Sequence, residues 1–404
     1  MRILHTADWH LGKKLDHFPR HEEQQQVLEE IVQIADDKNV DVVLIAGDLF
    51  DNFNPSNESL ELYYQTLKAL TNNGKRPVFA IAGNHDSPDK INTTDVLARS
   101  LGIFCFGYPQ QELQKVTGNP FFEILKTTAD FTEIKLAKYD FPFRIIHTPY
   151  ANEQRLRQVF EFGEEDMALN EALKNHWSQI TDEHCNDKGV NLLMTHLFMI
   201  GRTEDKADFD EPEGERPLSL GNATLINSSI VPKNIQYVAL GHLHKYIRWE
   251  NENTQFVYSG SPLSYSFSEA KQTKHVVLLD IFPNEKPKIE KIPLKKGKTI
   301  QRLVAQNVDD AIRLLEIHSE DLIELTIHTD EFLTQEELKT LRAHHAEIIR
   351  LIPQPKEVKE RMIDDSKSMD EQDIESLFYT YFENKTGMKP NQEIIDLFKE
   401  IVHS

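Results

Sequence analysis

Five short, largely apolar runs in the first 245 residues each stop at a cluster of Asp, Asn or His, and few folds accommodate that pattern. Ile3-Leu4-His5-Thr6-Ala7 leads into Asp8-Trp9-His10, Val42–Ala46 into Gly47-Asp48, and Pro77–Ala82 into Gly83-Asn84-His85-Asp86. Asn191–Thr195 ends at His196, and Gln236–Leu240 at Gly241-His242-Leu243-His244. Short runs without polar alternation read as strands buried on both faces. Between them, Val27, Leu28, Ile31, Val32 and Ala35 fall at helical spacing, and Leu60–Leu70 reads as a second helix. More strands are expected at Ile103–Phe106, Phe143–His147, Phe256–Tyr258 and Val276–Ile281. Strands alternating with amphipathic stretches predict a layered α/β domain. Ligands of such sheets bind beyond the carboxyl ends of strands, so the five polar clusters are expected to converge.

Charge narrows the partners. Lys+Arg 45 against Asp+Glu 66 gives −21 over 404 residues. A generally basic nucleic-acid binder is excluded, and a polyanionic substrate would require a local positive patch or bound cations. Cys105 and Cys185 are the only cysteines, which excludes a disulfide framework and favours a reducing compartment. The opening residues reach a charge before any signal-peptide stretch, and no window approaches 18 apolar residues. A cytoplasmic, nucleoid-associated protein without a membrane partner is expected.

Residues 151–189 read as a helical, polar insertion, and 202–216 as an acidic loop. Composition shifts after Ile281, with six Lys between Lys286 and Lys298. Helices at Asp309–Ile317 and Gln335–Ala346 beside strands at Leu322–Ile327 and Ile348–Ile352 predict a small α+β unit. A charged, apolar-poor stretch from Pro353 to about Asp373 has the composition of a linker. Beyond it, Ile374, Leu377, Phe378, Tyr381 and Phe382 form one apolar stripe, and Ile394, Leu397, Phe398 and Ile401 a second. Gly387 and Pro390 between them fit a helix stop and the next helix start. The expected division is 1–282, 283–352, 353–373 and 374–404.

The polar clusters carry the chemistry. In Asp8-Trp9-His10 and His242-Leu243-His244, the period of two of an extended segment puts both polar side chains on one side. A carboxylate buried at a strand end, as expected for Asp48, is costly unless a cation compensates it. Asn84 adds an amide oxygen, and His85 can supply a proton. The mix of carboxylate O, amide O and imidazole N suits Mn²⁺, Fe²⁺ or Zn²⁺ better than Ca²⁺ or Mg²⁺. Two metals about 3.5–4 Å apart clamp the attacking and leaving oxygens of a phosphoryl transfer. Asp48, alone at its strand end between two paired clusters, is the natural bridge. The remaining twelve histidines, His5 and His147 among them, read as core or surface residues.

In order and spacing, Asp8-x-His10-x-Gly12, Gly47-Asp48-Leu49-Phe50-Asp51, Gly83-Asn84-His85-Asp86, His196 and Gly241-His242-x-His244 resemble the calcineurin-like metallophosphoesterases. The N-terminal Met1-to-Gly12 segment, Gly-Asn-His-Asp-Ser-Pro at 83–88, and Gly214-Glu-Arg-Pro-Leu-Ser-Leu-Gly221 narrow the likeness to the DNA-repair nucleases of that superfamily. The resemblance implies a β-sandwich flanked by helices, a small α+β DNA-capping domain and a helical tail. It implies one divalent ion on Asp8, His10, Asp48 and His244, and another on Asp48, Asn84, His196 and His242. Mn²⁺ is the expected ion, with Mg²⁺ as the alternative. His85 would protonate the leaving oxygen, and Asp86 would orient His85. DNA and a coiled-coil ATPase docked on the tail would be the partners, and the Leu60–Leu70 helix would contribute to a homodimer. The implied activity is double-strand exonuclease and single-strand or hairpin endonuclease action in end processing. A phosphomonoesterase or cyclic-nucleotide phosphodiesterase on the same fold is the alternative, since fold and metal site do not choose a substrate.

Overall fold

A computed structural model describes residues 1–92, 95–114, 116–151, 159, 168–201, 225–329, 331–354, 374–386 and 388–403. Two compact units divide the chain at Gly297/Lys298. The first contains two sheets. One runs in the order Lys288–Pro293, His275–Asp280, Arg2–Thr6, Val42–Ile45, Val78–Ile81, Ile103–Phe106, and its last four strands are parallel. The other runs Ile247–Asn251, Thr254–Tyr258, Tyr237–Leu240, Val190–Thr195, Phe143–Thr148, Phe131–Leu136, Phe122–Thr128, with the four central strands parallel.

Successive side chains of a strand point to opposite faces, and here both faces are covered. Ile3, Val42, Leu44, Phe79 and Phe104 of the first sheet pack against Ile145, Leu192, Tyr237 and Val257 of the second. The intervening Leu4, Val43, Ile45 and Val78 face outward and are covered by helices His21–Asp37 and Asn57–Leu70. On the far side, Leu193, Val238 and Phe256 are covered by Leu173 and Trp177 of helix Ala168–His184. The result is a helix–sheet–sheet–helix sandwich. Two of the histidines read as core residues lie between its sheets. His5 Nδ1 is 2.9 Å from the Tyr237 hydroxyl, and the His147 ring stacks on Phe106. Burial pushes both imidazoles down to a pKa of about 3, so they are neutral.

One expected boundary needs correction, and other readings gain detail. Strand Lys288–Pro293 pairs with His275–Asp280, so the lysine-rich segment extends the first sheet, and the boundary expected at 282/283 falls fifteen residues early. Three of its six lysines are engaged: Lys286 pairs with Glu250, Lys291 lies over the Tyr246 ring, and Lys298 meets Glu347. The insertion at 151–189 holds a helix whose Trp177 is fully buried, which its polar composition obscures. The Leu60–Leu70 stripe packs on the first sheet through Leu62, Tyr63, Leu67 and Leu70. The expected acidic loop and the 214–221 motif lie outside the described residues, as does Gly387.

The second unit has a parallel three-stranded sheet, Ile300–Ala305, Leu322–His328 and Ile348–Gln354. Helices Val308–Ile317 and Gln335–His344 cover one face of it. The last strand takes in Pro353 and Gln354, the first two residues of the expected linker, and 355–373 lie outside the described residues. Helices Ile374–Thr386 and Gln392–His403 follow, joined by the stacked rings of Phe378 and Phe398. They are tied to the small domain, since Asn391 Nδ2 donates to the Phe332 and Leu333 carbonyls and Phe382 packs on Phe332. Leu377, Tyr381, Leu397 and Ile401 nevertheless stay exposed. No helix among the described residues is long and apolar enough to cross a membrane.

Candidate metal centre

The loops leaving the carboxyl ends of the inner strands meet at one end of the sandwich, and all nine residues expected from the sequence are buried there. Loops of the first sheet bind one another through their backbones. Asp8 N donates to Gly47 O (2.9 Å), His10 N to Asp48 O (2.9 Å) and Leu11 N to Leu49 O (3.0 Å). His85 N donates to Asp48 Oδ1 at 2.9 Å. Asp86 accepts from three amides, those of Gly83 (2.8 Å) and Leu49 (3.0 Å) at Oδ2 and that of Phe50 (2.9 Å) at Oδ1. The loops of the second sheet are then attached to this cradle. His196 Nδ1 donates to Ala46 O at 2.7 Å, and His242 N to Asp8 Oδ1 at 2.7 Å.

This closeness explains the glycines of the motifs. A Cβ on Gly83 would lie 2.1 Å from Asp48 Oδ1, and one on Gly241 would lie 1.9 Å from Ala46 O. The backbone is strained here as well. Asp8, His10, Asp48 and His242 have φ of 55°, 45°, 51° and 99°, a region that side chains other than glycine rarely adopt. Such strain is held only where surrounding structure over-determines it, and it concentrates at functional sites.

At the centre lies Asp48 Oδ2, 3.6 Å from His10 Nε2 and 3.3 Å from His196 Nε2. Beyond His10, His244 brings its Nε2 to 3.0 Å from the His10 Nε2. On the opposite side, Asn84 Oδ1 is 3.1 Å from His196 Nε2 and 3.3 Å from His242 Nδ1. Ligand atoms of Asp8, His10 and Asp48 lie within 4.8 Å of one another, and so do those of Asp48, His196 and His242. Asp48 is common to both groups.

Acceptors face acceptors in this cluster. Because His196 Nδ1 is committed to a carbonyl, its Nε2 lone pair meets two oxygens, an arrangement that demands a proton or a cation. Burial alone would lower the His196 pKa, but the Asp48 carboxylate outweighs it and carries the ring up to about 9. Asp48 itself is held low: burial opposes ionisation, but His196 and His10 more than compensate. Burial pushes Asp8 up to about 7. Its Oδ2, fully buried, has no hydrogen-bond partner among the described residues. An orphaned carboxylate oxygen, converging lone pairs and two ligand groups sharing one carboxylate fit a pair of divalent ions of borderline softness.

One role read from the sequence changes. The orienting hold expected of Asp86 on the His85 ring passes to the Asp51 carbonyl, to which His85 Nδ1 donates at 2.7 Å. Asp86 instead fastens the 83–86 turn to residues 49 and 50. The sequence reading also missed Glu269, which sits in a Ser-Phe-Ser-Glu turn that no metal-site spacing marks. It is buried, with Oε1 3.3 Å from His244 Nδ1 and Oε2 paired with Lys274. Burial opposes its charge, but Lys274 and His244 hold it at about 2.

A family model described as calcineurin-like phosphoesterase matches residues 1–246, and the chain belongs to that family of hydrolases. Within it, the similarity is to proteins named as the SbcD component of the SbcCD nuclease. The Bacillus subtilis (strain 168) protein is 32% identical, with 99% of this chain and 97% of that protein covered. The Staphylococcus epidermidis protein of the same name is 30% identical over 78% of this chain and 74% of its own length.

Proposed function

We propose that the chain is a metal-dependent DNA nuclease, hydrolysing phosphodiesters with two divalent ions, Mn²⁺ by preference. The observation that carries the metal assignment is the shared Asp48 oxygen between two groups of buried ligand atoms. DNA as substrate is supported by the near-full-length similarity to the SbcD component of an SbcCD nuclease. Asp8, His10, Asp48 and His244 would hold one ion, and Asp48, Asn84, His196 and His242 the other. Bound there, the ions would polarise the phosphoryl oxygen and lower the pKa of the attacking water. His85 would serve as the general acid: with its Nδ1–H donated to Asp51 O, the imidazolium form would deliver its second proton from Nε2 to the leaving oxygen and be left neutral. Asp86 would act through the backbone of the turn that presents His85.

The small α+β unit would cap the DNA, and the two terminal helices would dock a coiled-coil ATPase of the SbcC type. Exposed Leu377, Tyr381, Leu397 and Ile401 support that docking role. A homodimer belongs to the same proposal. One assay tests it: linear duplex, hairpin and single-stranded DNA are offered beside p-nitrophenyl phosphate esters, with Mn²⁺ or Mg²⁺, with and without the ATPase. Metal-dependent cleavage of DNA is expected, extended to duplex ends when the ATPase and ATP are present. Turnover of the small esters without cleavage of any DNA would replace the nuclease reading with that of a small-molecule phosphoesterase.

A further inference from the structure

Glu269 and Lys274 lie outside the loops that carry the expected ligands, yet both converge on His244. The Glu269 carboxylate can only accept, so the 3.3 Å contact from His244 Nδ1 is a donated hydrogen bond. The same oxygen accepts from Tyr265 N at 3.2 Å, while the other is paired with Lys274. Lys274 Nζ also donates to the backbone carbonyl of His244 and to Ser261 Oγ, each at 3.0 Å. Lys274 therefore grips His244 twice, directly at its backbone and through Glu269 at its ring. The Tyr265 ring lies beside that of His244, with centroids 6.0 Å apart and planes inclined at 65°.

We infer that Glu269, braced by Lys274, is a positioning residue that sets the tautomer of His244. The pair keeps the proton on Nδ1 and turns the Nε2 lone pair toward His10 and the centre. A neutral imidazole ligates through a nitrogen that carries no proton, and a carboxylate on the opposite nitrogen fixes both ring orientation and tautomer. A peripheral ion pair of this kind would otherwise have little reason to be buried, since burying two charges costs more than most pairs return. The inference rests on the metal-holding reading of His244, but its first readout needs no metal.

The test uses the full chain with histidine labelled in ¹⁵N, the His244 signals being assigned by their loss in His244→Asn. In the metal-free protein, His244 is expected to carry its proton on Nδ1. In Glu269→Ala the proton is expected to shift toward Nε2, while in Glu269→Gln, which keeps an acceptor oxygen, the Nδ1 form should survive. Calorimetric titration with Mn²⁺ is expected to show one site weakened about 10- to 100-fold in Glu269→Ala, with recovery in Glu269→Gln. If Glu269→Ala does not fold, Lys274→Met gives the same comparison at smaller amplitude. His244 protonated on Nε2 in the wild-type chain, or both Mn²⁺ sites unchanged in Glu269→Ala, would overturn the inference. A wild-type chain that binds no Mn²⁺ but holds His244 in the Nδ1 form would overturn the metal reading and leave the positioning pair standing.

Discussion

The loops of the first sheet and those of the second reach one centre by different means. Those after Arg2–Thr6, Val42–Ile45 and Val78–Ile81 bond to one another, backbone to backbone and through Asp86, so they make a mutually bonded cradle. The loops after Val190–Thr195 and Tyr237–Leu240 share one long backbone bond, Gly241 N to Thr195 O at 3.4 Å. They are held by what they do to the cradle: His196 donates to Ala46, His242 to Asp8, and Gly241 comes so close to Ala46 that no side chain fits. The cradle supplies both carboxylates, the amide and one imidazole, and the attached loops supply imidazoles alone. Charge and rigidity thus come from one sheet, while the other completes the set.

Breaking the attachment should have the largest effect. In Gly241→Ala, the new methyl would collide with Ala46 O and approach His196 Nδ1 to 2.7 Å, forcing the second sheet's loop away. Metal analysis should find the His196–His242 side empty and hydrolysis undetectable, with stability lowered by about 1–3 kcal/mol. Wild-type metal content in this variant would mean that the loops close independently of their contact. A cut inside the cradle sharpens the contrast. His85→Ala should retain metal and fold but lose roughly 10²–10⁴-fold in rate, the usual size of a general-acid contribution. Loss of metal from it would instead make His85 a ligand. Asp86→Ala strips three buried amides of their acceptor, and each such loss costs about 1–3 kcal/mol. Its urea midpoint should fall clearly, and its residual activity should follow the misplacement of His85.

The two sheets also depend on neutral imidazoles between them, which makes their union sensitive to acid. His5 and His147 titrate near 3 when folded but near 6.5 when unfolded, so the unfolded chain binds more protons between those values. Stability should therefore be full above pH 6.5 and decline as pH falls toward 3. Each histidine contributes at most about 1.4 kcal/mol per pH unit in that window. Denaturant titrations from pH 7 to 4 should show this slope, and His147→Phe should flatten it.

Much of this arrangement was legible because buried parallel strands have little choice of residue. Val42–Ile45 and Val78–Ile81 are apolar on both faces, and the ligand-bearing loops must follow their carboxyl ends. The antiparallel strands Phe122–Thr128 and Ile247–Asn251 went unseen for the opposite reason. One face of each meets water, and their charged residues read as loop. In the site, residue type and spacing brought out Asp8, His10, Asp48, Asn84, His242 and His244, while His196, alone after its strand, was reached only through the family resemblance. Asp86 and Glu269 escaped a correct reading because their partners, three backbone amides and the far nitrogen of a ring, leave no trace in spacing.

The pairing of Arg2–Thr6 with both Val42–Ile45 and His275–Asp280 bears on how the chain is born. His10 and His244, whose ring nitrogens lie 3.0 Å apart, are separated by 234 residues. At common rates of translation, the second emerges from the ribosome roughly ten to fifty seconds after the first. Throughout that interval the nascent chain has a cradle without its closing imidazoles, and the first strand has one edge still unpaired, an invitation to stray pairing. A fragment released early would carry the strained carboxylate loops but not the full set of donors. A hydrolase built this way would have no complete donor set until most of its chain has been made.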